Sequence, residues 1–63
     1  MKVYKPGDLV ILRSDKIYAK YGKRLDYYVI TDTYDDNLIR AHNTTTKDIV
    51  AVFSDDIILL SNI

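Results

Sequence analysis

Apolar and polar positions alternate with a period of two along most of the chain, the mark of strands that bury one face in a sheet. Short polar clusters separate the strands. Pro6-Gly7-Asp8 reads as a turn, because proline presets φ, glycine accepts an unusual dihedral and aspartate closes a local hydrogen bond. Leu9-Val10-Ile11-Leu12-Arg13 follows as a first strand, apolar on both faces until Arg13 and so expected at the centre of the fold. Asp26 to Thr33 is a second strand, with Tyr28 and Ile30 on one face and Tyr27, Val29 and Thr31 on the other. Tyr34-Asp35-Asp36-Asn37 turns the chain tightly into a third strand, Leu38 to His42, and Asn43-Thr44-Thr45-Thr46 turns it again into a fourth, Asp48 to Val52. These three strands form a meander. Phe53-Ser54-Asp55-Asp56 breaks the alternation and predicts a single 3₁₀ turn before a brief last strand, Ile57 to Leu60.

Ser14 to Leu25 shows no sustained period. It reads as a long first loop with Gly22 at positive φ, and it carries Lys16, Lys20, Lys23 and Arg24. Loops of this length inside a small domain tend to be functional.

Composition agrees with strands. Five Val, eight Ile and five Thr make 18 β-branched residues among 63, with six Tyr, three Ala and neither Glu nor Gln. All nine acids are Asp, which favours turns and caps. Residues 1–63 form a single domain, large enough to fold around one core and too small for a deep, dry pocket, which argues against an enzyme. Without cysteine there is no disulfide and no thiolate metal site. His42 is the lone histidine, read as structural or exposed, and Asp35-Asp36-Asn37 lacks the spaced acids of a calcium loop and reads as a turn. Neither a Gly-x-Ser-x-Gly elbow nor a Gly-rich phosphate loop is present, so the expectation is no catalytic residue, no metal and no cofactor. The opening Met1-Lys2-Val3-Tyr4-Lys5-Pro6 has no apolar leader, and apolar runs such as Ile57 to Leu60 are far shorter than a membrane span. A soluble, cytoplasmic protein is expected.

Two segments carry a resemblance, Pro6-Gly7-Asp8-Leu9-Val10 near the start and Phe53-Ser54-Asp55-Asp56-Ile57 near the end. With five strands and a long first connection, the chain resembles the small SH3-like barrels of bacteria and their phages, a group that includes KOW and Tudor-like modules. In that group a Pro-Gly-Asp turn launches the first strand and a Ser-Asp turn leads into the fifth. The resemblance implies an all-β, five-stranded SH3-like barrel, and with it a phage or mobile-element protein that adjusts a host protein. Here only Gly22 serves the loop where KOW elements have further glycines. The chain also lacks Trp and the Ala-Leu-Tyr-Asp-Tyr run of domains that grip proline-rich peptides, and no tyrosine spacing marks a methyl-lysine cage.

Charge is balanced overall and uneven along the chain. Met1 to Arg24 carries seven bases against two acids, and Leu25 to Ile63 two against seven. The candidate binding surface is Lys16, Tyr18, Lys20, Tyr21, Lys23 and Arg24, with Tyr27 on the adjoining strand. Interleaved cations and rings suit a protein interface, where Tyr and Arg are preferred anchors, and also a nucleic-acid strand, through phosphate contacts and base stacking. Alternatively, Ile17, Tyr18 and Tyr21 pack over the end of the barrel and the lysines are merely solvated. A protein partner is the leading expectation, because nucleic-acid binders are usually basic as whole domains. A second interface is read at the last strand: with Ile57 and Leu59 turned inward, Ile58 and Leu60 face outward with Ile63 close behind, a surface for self-association or docking.

Overall fold

In the computed structural model, which describes residues 4–22, 24–35 and 37–61, the strands follow the expected order. They are β1 (Leu9–Leu12), β2 (Tyr28–Thr33), β3 (Leu38–Asn43), β4 (Ile49–Phe53) and β5 (Ile57–Ser61), with a 3₁₀ turn at Ser54–Asp56. All pair antiparallel in one sheet of order β4-β3-β2-β1-β5. The described residues are all-β apart from one short helix.

The Lys5–Asp8 turn sets the start of β1. The Asp8 N–H donates to the Lys5 carbonyl, its Oδ2 accepts the Lys5 N–H, and Gly7 takes φ 96° where a side chain is strained. Gly7 then donates to the Ile30 carbonyl at 2.7 Å and Ile30 to the Asp8 carbonyl at 3.0 Å, fastening the turn to β2.

One apolar cluster holds the fold together: Val10, Tyr28, Ile30, Ile39, Ala41 and Ile57, with Tyr4, Leu12, Val50 and Val52 packed against it. Four strands supply its buried members, as the period-two reading of Tyr28 and Ile30 requires. A register shift between Ile30 and Asp32 in β2 supplies a local bend. Burial pushes the Tyr4 phenol above its ordinary pKa, with Arg13 opposing the rise and Asp55 adding to it.

Three expectations change. The sheet is not closed into a barrel: among the described residues β4 and β5 remain its two edges. The first connection is not simply a loop, because Arg13–Ala19 forms a helix, α1, directly after β1. Leu59, expected inward, is exposed, whereas Ile57 is buried as expected. Leu59 lies directly opposite the buried Val10, in regular register with Ile57, and its exposure goes with the place of β5 at the open edge of the sheet; the β1–β5 register shift falls beyond it, between Leu9 and Val10.

Helix α1 is anchored from a distance. Its N-cap, Leu12, offers no side-chain oxygen to the first turn. Asp56 in the 3₁₀ turn does so instead, accepting from the Ser14 N–H through Oδ1 and from the Ser14 hydroxyl through Oδ2, each at 3.2 Å. Arg13 adds a bond from Nε to the Asp55 carbonyl at 3.2 Å. The helix ends where Tyr21 donates to the Tyr18 carbonyl and Gly22, at φ 95°, donates to the Ala19 carbonyl.

Candidate functional site

The anchoring of α1 decides which side chains face water. Asp15 is buried and Ser14 and Ala19 are half-buried, so the inner side of α1 is small and polar. Its apolar bulk points outward. Ile17, Tyr18 and Tyr21 are 52%, 54% and 75% exposed, so they do not form a cap over the core. Lys16 and Lys20 are exposed too, and the Lys20 Nζ lies 5.3 Å from the centre of the Tyr21 ring, within cation–π range.

Arg24 and Tyr27 occupy a different setting. Arg24 Nε pairs with Asp26 Oδ1 at 2.9 Å, and Asp26 Oδ2 accepts from Asn43 Nδ2 at 3.0 Å. The Tyr27 carbonyl accepts the Thr44 N–H at 2.9 Å and the Thr44 hydroxyl at 3.0 Å. This segment is clamped to the β3–β4 turn, and much of the Arg24 charge is answered locally. The predicted surface thus divides into α1 with its following turn, and the Arg24–Tyr27 segment, whose Tyr27 side chain is exposed. Lys23 lies outside the described residues.

Across the charge divide of the sequence, Arg24 pairs with Asp26, while Arg13 reaches the Asp55 main-chain carbonyl and Ser14 the Asp56 carboxylate. Asp35 is a turn residue, its Oδ1 accepting from the Asn37 and Leu38 N–H groups at 2.7 and 2.9 Å. Among the described residues no cluster of three or more His, Asp or Glu side chains is placed to hold a metal ion. Likewise no described helix is long and apolar enough to cross a membrane.

At the predicted second interface Ile58 is half-buried opposite the buried Ile11, and Leu60 is exposed. Ile63 lies outside the described residues. A larger apolar surface lies at the other edge, where Ile49 and Phe53 of β4 are 62% and 67% exposed and Ala51 between them is exposed as well. Its signal in the sequence is the unbroken apolar stretch from Ile49 to Phe53, too long for one turn and without a polar alternate. Comparison with protein-family models, curated proteins and solved structures returns no match.

Proposed function

We propose that this protein is a non-catalytic binding module that docks on a protein partner through the outward face of α1 and its following turn, with Arg24 and Tyr27 at the margin. The observation that carries this reading is the exposure of Ile17 and Tyr18 on α1 and of Tyr21 in the turn after it, on a helix whose first turn is tied to the fold at Ser14. Large side chains outside the core, with Lys16 and Lys20 around them, have the make-up of an interface centre with a charged rim. A nucleic-acid partner fits less well. Arg24 is already paired with Asp26, and the chain as a whole is neutral.

An SH3-like strand arrangement, left open between β4 and β5, is the finer fold assignment we propose. Supporting it are the β4-β3-β2-β1-β5 order, the register shift in β2 between Ile30 and Asp32, and the 3₁₀ turn before β5. By that resemblance the module adjusts a host protein on behalf of a phage or mobile element.

Affinity capture from the native host, comparing the natural chain with the Lys20→Ala, Tyr21→Ala double variant, tests the site. Both side chains are exposed, so the variant is expected to keep its circular-dichroism spectrum and melting behaviour while losing most of the captured partner. Equal capture by a folded double variant removes the assignment. Binding to DNA or RNA that weakens steeply between low and physiological salt transfers it to nucleic acid.

A further inference from the structure

The outward side of α1 and its following turn carries charge of one sign. At about 100° per residue, Arg13, Lys16, Ile17 and Lys20 fall on one side of the helix. Tyr21 follows beside Ile17, since the Lys20 backbone stays helical at φ −68° and ψ −13°. All five side chains are exposed. Asp15, the one acid between Arg13 and Arg24, is buried on the opposite side. The cations therefore form a row along one margin of this face, and Ile17 and Tyr21 form the other.

Among the described residues no carboxylate pairs with that row. Neither Lys16 nor Lys20 forms an ion pair, and Arg13 Nε bonds the Asp55 main-chain carbonyl. Asp55 stands at the Arg13 end, so the charge is least balanced at Lys16 and Lys20. These two are one turn apart, where like charges repel and weaken a helix. A carboxylate brought against both relieves that repulsion.

We infer that the partner segment seated on α1 is acidic: a stretch of protein that sets Asp or Glu carboxylates on Lys16 and Lys20 and an apolar side chain on Ile17 and Tyr21. This rests on the docking reading proposed above and adds the chemistry of the occupant. Charge complementarity selects it, because a neutral or basic segment would strip water from the lysines without supplying a counter-ion. A nucleic-acid strand matches the same face less well. Ile17 gives a base no ring to stack on, and two lysines neutralise few phosphates.

Amide NMR shifts of the whole chain, titrated with three synthetic probes, test this. The probes are a helical Leu–Glu peptide with its glutamates on one face, the same peptide with Gln for every Glu, and an oligothymidylate. The Leu–Glu peptide is expected to move the amides of Arg13 to Gly22 and to bind about tenfold more tightly than its Gln counterpart, the combined effect of two exposed ion pairs. Lys16→Gln with Lys20→Gln should abolish that preference. Lys16→Glu with Lys20→Glu should reverse it, so that a Leu–Lys peptide binds in place of the Leu–Glu one. Both variants change exposed side chains and keep the Ser14–Asp56 anchor, and the first carries the test if the second does not fold. Equal binding of the Glu and Gln peptides, a stronger response to oligothymidylate, or α1 amides that no peptide moves overturns the acidic occupant. If the folded Lys20→Ala, Tyr21→Ala chain still loses its host partner in that case, the docking surface stands with an occupant of other chemistry; if it captures normally, both fall.

Discussion

Asp56 shows how much one side chain decides in a chain this short. A seven-residue helix is too short to persist by itself in water, because nucleation costs more than two turns of hydrogen bonds return. Asp56 supplies the acceptor that Leu12 cannot, from 42 residues away, and so couples α1 to the turn before β5. Asp56→Ala is expected to lower stability by about 1 kcal/mol, the usual cost of a lost cap. Chemical denaturation measures that loss, and Asp56→Asn, which keeps one side-chain oxygen, should recover part of it. Unaltered stability of Asp56→Ala would show that α1 stands without this anchor. Asp56 was legible in the sequence only as a turn residue. Nothing local marks a carboxylate whose partner is so distant.

Among the elements, strands were legible and the helix was not, for one physical reason. A strand such as β2 announces itself because Tyr28 and Ile30, two apart, must both enter the core. Helix α1 buries Asp15 and half-buries Ser14 and Ala19 while exposing Ile17 and Tyr18, the reverse of an amphipathic pattern. Periodicity therefore registers nothing. The open β5 edge was equally invisible, and it leaves Leu59 exposed although it lies opposite the buried Val10. An element tied mainly by polar contacts should also open more readily than one built into the core. Native-state hydrogen exchange is expected to show the α1 amides opening well below the global unfolding free energy, with the β2 and β3 amides close to it. Equal protection throughout would mean that α1 belongs to the same cooperative unit as the sheet.

For the whole molecule, stability rests on a core of very few side chains. Ile30, Ile39, Ile57 and Val10 are its largest fully buried members, and no disulfide supports them. A domain of this size ordinarily holds only about 3 to 5 kcal/mol in reserve, while truncating a buried isoleucine to alanine costs about 2 to 5 kcal/mol. Ile39→Ala is therefore expected to leave the chain largely unfolded at ordinary temperature, with thermal melting as the readout. A sharp, little-shifted transition would contradict so small a core. Balanced charge and β-branched composition were enough to read a small sheet from the sequence. Whether its edges close depends on accumulated twist and on irregularities such as the one in β2, which residue types alone do not specify.

The sharpest test of a module that spends Tyr28 on its core and Tyr18 and Tyr21 on a partner is hydroxyl-radical footprinting of the tyrosines, in buffer and in extract of the native host. Tyr28 is 7% exposed and should be silent in both. Tyr34, 55% exposed on the turn after β2, should react in both. Tyr18 and Tyr21 should react in buffer and become protected in extract. Reactive Tyr28 in buffer would contradict the core, and Tyr18 and Tyr21 equally reactive in both conditions would contradict the docking surface.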